Sequence, residues 1–349
     1  MRERGSVHPL QAFVAMYWAK RRRRKGLYDH RTLAGFSIAA RGGWVGGATR
    51  ALAYAMFLRD LGRPLRKRWA ARLADELFRL APSQQRVALG LIAEAMPERL
   101  AALPLDACGA LKLPPAVYRQ LGEATRSPLA LIDAMQGQWR SDFSTWLGVQ
   151  RRASGLCVVG NAAALGGSRL GEAIDGCGGV VRFNQFAQAT SHAQDIGRRL
   201  DVWVLSPGYR GPVPRSVQWV VVAGPDVRYT LGNWDMVLPL LRAGSKVLTV
   251  PLAVWRGLVS RLQAPPSAGV LLLKWLRDLG NELEWDGIAA AGIGAGLSVS
   301  GAYHLAIPGH RAVARHNWHE EQTLVAEWSG QGLEILRAKG LRPGGDLEQ

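Results

Sequence analysis

The chain has 349 residues, 48% of them hydrophobic, enough for a sizeable core in one large domain or two. Its 44 Lys and Arg against 27 Asp and Glu give a net charge of +17, which attracts polyanions without naming one: nucleic acid, an anionic membrane face and acidic sugar substrates all fit. Three cysteines, Cys108, Cys157 and Cys177, are too few and too scattered for a disulfide framework or a zinc site, and a reducing compartment is the expectation.

In chain order, residues 1–26 read as a basic flexible arm containing Arg21-Arg22-Arg23-Arg24-Lys25, with no apolar stretch of signal-peptide type behind it. Residues 27–150 read as a helical N-terminal region. Trp69, Leu73, Leu77 and Leu80 recur at helix spacing, and Ser83 is placed to cap a helix carrying Val87, Leu91 and Ile92. Ser127-Pro128 opens a further helix through Ile132 and Met135. From 151 to 349 short apolar runs alternate with helical segments, at 156–159, 180–183, 202–205, 219–223, 247–250 and 288–293. That alternation predicts an α/β domain with a Rossmann-like, largely parallel sheet flanked by helices, whose ligands bind beyond the carboxyl ends of the strands. The uncharged stretch 287–309 has the length to span a bilayer, for which ~20 apolar residues suffice. Its glycines and its proline make a buried strand followed by a glycine-rich loop the better reading.

Four segments of this second half carry chemistry. Leu156-Cys157-Val158-Val159-Gly160-Asn161 reads as a buried strand ending in a small-residue loop, Ala162 to Gly166-Gly167-Ser168, that lets backbone N–H groups approach a phosphate or ribose. The next strand runs into Asn184-Gln185 rather than into the acidic residue a dinucleotide site places there, which argues against NAD. An Asn both donates and accepts, and so reads a base or ribose without repelling phosphate. Pro265-Pro266-Ser267-Ala268-Gly269 opens a helix whose start is an anion-binding end. Finally, His304, His310, His316 and His319 cluster just past the last predicted strand, and a histidine near neutral pH suits removal of a sugar hydroxyl proton. No HExxH pattern for a metal is present.

Together and in this order, these segments resemble the eukaryotic-type sialyltransferases, glycosyltransferase family 29. Cys157-Val158-Val159-Gly160-Asn161 through Gly167-Ser168, Glu172, Ile174-Asp175 and Arg182-Phe183-Asn184-Gln185 is similar to that family's long motif, continued by Gln194-Asp195-Ile196-Gly197-Arg198. Pro266-Ser267-Ala268-Gly269 is similar to the short motif, and His316 with Glu321 to the very short motif. The resemblance covers about residues 154–325. It implies a GT-A-like variant fold, a CMP-sugar donor, no further cofactor and no metal requirement. It also implies that Gly160, Asn161, Asn184, Ser267, Ala268 and Gly269 form the donor site and that His316 is the general base. His304, after Tyr303, answers to the family's third motif and would stabilise the departing phosphate, with His310 as its rival; His319 is the rival of His316. Two departures stand out. Ala268 replaces the usual Thr, and Gly280 stands where animal members have the cysteine that pairs with the one matched by Cys157. With no anchor segment in the sequence, the expectation is a bacterial-type cytoplasmic enzyme.

The reading is an inverting, metal-independent transfer of sialic acid, or of a related acidic sugar such as Kdo, to a glycan or glycolipid hydroxyl. Peripheral attachment to an anionic inner membrane, through the basic arm, is a further expectation; nucleic acid is not expected as a partner. Two other classes stay open: a different nucleotide-dependent transferase of the methyltransferase type, and a non-catalytic basic adaptor binding membrane or nucleic acid.

Overall fold

The computed structural model describes residues 7–42, 46–99, 128–188, 190–206, 209–224, 234–279, 287–294, 305 and 312–337. Five helices come first: α1 (Pro9–Arg24), α2 (His30–Arg41), α3 (Gly47–Asp60), α4 (Lys67–Asp75) and α5 (Pro82–Ala95). Residues 9–24, expected as a flexible arm, are therefore helical. Pro9 occupies the first turn, and the His8 ring accepts the Leu10 N–H at 3.3 Å. Ala12, Met16 and Ala19 are buried on one face of α1. Two arginines of the basic run are committed to protein contacts, Arg22 to Asp29 and Arg23 to Asp60, and a count of charges alone does not reveal that. Trp69, Leu73, Leu77 and Leu80 share one buried cluster with Leu91 and Ile92, but α4 ends at Asp75, so Leu77 and Leu80 reach that cluster from the turn beyond it. Ser83 is not the cap of α5. Pro82 takes the first helical position, and the Gln84 side chain accepts the Ala81 N–H at 3.3 Å.

The rest of the chain alternates α6 (Pro128–Ala153), β1 (Leu156–Val159), α7 (Gly171–Asp175), β2 (Gly179–Phe183), α8 (Ala193–Ile196), β3 (Val202–Leu205), β4 (Trp219–Val222), α9 (Trp234–Arg242), β5 (Lys246–Thr249), α10 (Leu252–Leu262), α11 (Ala268–Asp278), β6 (Ile288–Ala291), α12 (Trp318–Ser329) and β7 (Glu334–Leu336). All six predicted strands form. They read as continuous apolar runs because strands covered on both faces have no solvent side to mark with polar residues. β7, short and polar at its first residue, carries no such signal. The strands join one parallel sheet in the order β5-β4-β3-β2-β1-β6-β7.

Successive residues of a strand point to opposite faces, and the two faces here have different covers. Leu156, Val158, Val181 and Phe183 join the core built with α6, α10, α11 and α12. Cys157, Val159, Val180 and Ala291 face Ile174 of α7 and Ile196 of α8. Helix α6 was read with the N-terminal region, yet it packs on the sheet: Phe143 and Leu147 lie in the sheet core. Gln136 of α6 also completes the edge strand β5, donating to the Val247 carbonyl at 2.7 Å and accepting the Thr249 N–H at 3.0 Å. An edge strand whose backbone is satisfied in this way is closed to further pairing.

Asp60, at the end of α3, is wholly buried and binds three guanidiniums: Arg59 at 2.8 Å, Arg315 at 2.9 Å and Arg23 at 2.6 Å. Burial pushes its carboxyl up, but Arg59, Arg315 and Arg23 outweigh that and hold it at about 2. Its stabilising contribution is therefore complete above pH 3.8 and is lost as pH falls toward 2. Because Arg23 belongs to α1 and Arg315 to the segment entering α12, this one carboxylate ties the helical region to the α/β half. Asp60→Asn leaves three buried or half-buried cations without their anion. It should cost about 3–5 kcal/mol in urea-induced unfolding; a loss below about 1 kcal/mol, the level of a surface pair, would contradict this role.

Candidate functional site

In a parallel sheet every strand delivers the chain to the same edge, and a cleft opens where the strand order reverses. Here the reversal lies between β1 and β6. Beyond their carboxyl ends is a cavity of about 270 Å³, whose lining includes Gly160, Asn161, Asn184, Ser267, Ala268 and Gly269. The fold thus brings all six residues read as the donor site from three separate segments to one place.

Each is held by its own constraint. Gly160 donates its N–H to the Ala291 carbonyl at 2.7 Å, and a Cβ on it would overlap the Gly292 carbonyl oxygen, so only glycine lets the exits of β1 and β6 run this close. The Asn161 amide donates to the Phe183 carbonyl at 3.3 Å, linking the ends of β1 and β2. Asn184 sits in the left-handed region at φ 45°, which Asn tolerates better than other side chains. Its Oδ1 accepts the Ser206 N–H at 2.8 Å, its Nδ2 donates to Ser206 Oγ at 3.2 Å, and its carbonyl accepts from Trp203 Nε1 at 3.1 Å. Both asparagines keep further hydrogen-bonding capacity at the cavity wall, since an amide offers two donors and two lone pairs.

The rest of the long segment is scaffold. Gly166-Gly167-Ser168 was read as a loop approaching a phosphate; instead it turns toward Asp195, with Ser168 Oγ donating to the Asp195 carbonyl at 3.1 Å and Arg169 N–H to its carboxylate at 3.0 Å. Asp175 accepts the N–H groups of Arg198 and Arg199, each at 3.0 Å or less. Gly197, at φ 72°, has no room for a Cβ beside that carboxylate. Arg182, almost fully buried on β2, donates to Asp175 at 3.3 Å and to the Arg199 carbonyl at 2.6 Å while lying over the Phe186 ring at 4.1 Å. Its burial lowers its pKa to about 10, against the pull of Asp175.

The opposite wall comes from α11 and α12. Ser267 caps α11 through Oγ, and its own N–H donates to Glu321 Oε1 at 2.6 Å. Glu321 is buried in the first turns of α12 and lines the cavity, and burial pushes its carboxyl up to about 7 against the help of the Ser267 bond. His316 is half-buried beside this wall. Its Nδ1 lies 2.8 Å from the Pro265 carbonyl, which places the proton on Nδ1 and leaves Nε2 as the acceptor. Burial lowers its pKa to about 4, in part offset by the Pro265 bond, so the ring is neutral near pH 7. His316 does not itself line the cavity: Trp318 does, standing edge-on to the imidazole with centroids 5.1 Å apart. His319 is exposed on α12. His304, His310 and Gly280 lie outside the described residues; Cys157 and Cys177 are free thiols. Ser206, Tyr209, Ile293 and Trp318 also line the cavity, and no motif in the sequence marks them. Ser206 and Tyr209 follow β3, and Ile293 follows β6, so strand ends were the one signal that pointed to them.

A parallel α/β fold with a cleft at its strand-order reversal, walled by amide side chains and a capped helix start, is an arrangement in which open sheets bind ligands. Residues 145–229, from within α6 to just past β4, match the model of glycosyltransferase family 29 (sialyltransferase), and the segment includes both cleft asparagines. Over this segment, about a quarter of its length, the chain is similar to the sialyltransferases. Among solved structures, a mammalian sialyltransferase in complex with Gal-beta-1-3GalNAc-ortho-nitrophenol overlays with a TM-score of 0.41 at 19% identity, over 55% of this chain and 73% of that one. A further mammalian sialyltransferase overlays with a TM-score of 0.40 at 18% identity, over 54% and 70%. No curated protein sequence matches the chain significantly.

The raised carboxyl of Glu321 has a stability consequence. A group protonated more tightly in the folded state stabilises it below its unfolded value of 4.5, and that contribution is lost as pH rises through about 7. Glu321→Gln keeps an acceptor for the Ser267 N–H but cannot ionise. Its thermal stability, followed by circular dichroism, should not show the decline of about 3 kcal/mol that the parent shows over this range. Parallel curves for the two proteins would refute the assignment.

Proposed function

We propose that the chain transfers sialic acid, or a related acidic sugar such as Kdo, from a CMP-activated donor to a glycan hydroxyl, with inversion and without a metal. The observation that carries the reading is the convergence, in one cleft, of Asn161 and Asn184 with the capped start of α11, flanked by a neutral histidine whose Nε2 is free to accept.

In this reading, the asparagine amides hold the CMP moiety, because they donate and accept without adding charge beside a phosphate. The N–H groups at the start of α11 receive the phosphate, toward which the helix dipole is favourable. Charge grows on that phosphate as the bond to the anomeric carbon breaks, so fixed N–H donors stabilise the transition state more than the ground state. His316 takes the acceptor hydroxyl proton on Nε2, while its Nδ1–H stays fixed on Pro265. In the free protein, burial makes this base weak; a bound anionic donor would raise its pKa back toward neutrality. Attack from the face opposite CMP inverts the anomeric centre in a single displacement. Glu321 orients the Ser267 backbone, and its protonation as donor phosphate enters would avoid two facing anions.

Calorimetry of CMP against UMP, AMP and S-adenosylmethionine, with and without EDTA, tests the donor. CMP should bind selectively and equally in EDTA, and Asn161→Ala and Asn184→Ala should each weaken it about tenfold, the worth of a lost hydrogen bond of about 1.4 kcal/mol. His316→Ala should abolish transfer yet leave CMP affinity unchanged. Tight binding of S-adenosylmethionine instead, or turnover retained without His316, would overturn the reading.

A further inference from the structure

Helix α1 is apolar on two opposite sides. Ala12, Met16 and Ala19 face the protein, as one buried stripe at helical spacing. On the other side Leu10 is 65% exposed, Phe13 67%, Val14 57% and Tyr17 64%, with Trp18 beside them. These positions are spaced by three and four residues, so they form one continuous stripe, the largest group of exposed apolar side chains among the described residues. Scattered exposed apolar residues need no explanation, whereas a contiguous stripe marks a surface that something covers. On the same side of the helix, one to two turns further along, the stripe continues as Arg21 and Arg24, both exposed and without an acidic partner among the described residues. Arg22 and Arg23, turned inward, hold Asp29 and Asp60.

We infer that this face of α1 seats the protein on an anionic membrane surface, with Leu10, Phe13, Val14 and Tyr17 entering the headgroup–acyl boundary and Arg21 and Arg24 meeting the anionic headgroups. A second copy of the chain would bring a second pair of unneutralised arginines to the contact, whereas an anionic bilayer supplies both the apolar layer and the opposite charge. Tyr and Trp, half apolar and half polar, suit that boundary. The apolar stretch of α1 is too short to cross a bilayer, and no helix of the described residues is long and apolar enough to do so; the helix lies on the surface. Through Arg23 and Asp60 it is joined to Arg315, next to His316, so the seated helix and the segment that carries His316 share one ion cluster. The inference goes beyond the transferase reading and does not rest on it.

Co-sedimentation of the full chain with vesicles of phosphatidylcholine alone, or of phosphatidylcholine with phosphatidylglycerol, tests it. The native chain should pellet with the anionic vesicles. Phe13→Ser with Tyr17→Ser, both exposed, should weaken that binding about a hundredfold, with circular dichroism and thermal unfolding unchanged. Arg21→Ala with Arg24→Ala should weaken it about thirtyfold, and added salt should mimic the effect. Undiminished binding by the Phe13/Tyr17 variant would overturn the inference. So would a native chain that ignores vesicles, and so would one that sediments as a dimer which the same two substitutions dissociate, because a second copy would then be the cover.

Discussion

Much of this structure follows from how closely β1 and β6 can leave the sheet side by side. Both strands are parallel, both end at the same edge, and the chain reaches one early and the other late. Their exits meet because Gly160 has no Cβ to strike the Gly292 carbonyl. That approach sets the floor of the cleft. It also places the start of α11, which precedes β6, opposite the loop that follows β1. A wider separation would leave the asparagines and the Ser267 cap as unrelated features of two distant segments.

Two buried carboxyl groups then do opposite work. Asp60 meets three guanidiniums, so it stays charged and binds the helical region to the segment that carries His316. Glu321 meets Ser267 and no cation among the described residues, so burial wins and its carboxyl is pushed up to about 7. The same desolvation acts on both, and the difference lies in the partners. One holds a fold together, and the other changes charge near neutral pH at the wall of the cavity.

The segment from Cys157 to Arg198, which resembles the long motif, divides in two. Of its many matching residues, Gly160, Asn161, Phe183, Asn184 and Gln185 line the cavity. Asp175, Arg182, Asp195 and Gly197 instead lock α7, α8 and β2 to one another. A buried arginine over an aromatic ring is a costly element to place in a core: Asp175 and the Arg199 carbonyl answer its Nη2 and Nε, while its Nη1 is buried without a partner among the described residues.

Sequence alone determined what depends on local pattern. Apolar runs of four or five residues specified six parallel strands, the helical period specified α4 and α5, and the serine before Ala268 specified a cap, because each of these is an interaction among near neighbours in the chain. It also singled out Asn161, Asn184 and Ser267, which the fold brings to one cavity, and His316, which lies beside it. What it did not contain was which partners distant residues would find. The arginines of α1 looked like solvent charges until Asp60, dozens of residues away, came to lie beneath one of them. Gly167 and Ser168 looked like a phosphate loop until Asp195 filled their place. α6 looked like part of the helical region until its Gln136 paired with β5. Trp318 rather than His316 forms the cavity wall. In every case the deciding contact joins residues far apart in sequence, and its free energy comes from burial and pairing that exist only once the sheet has brought them together.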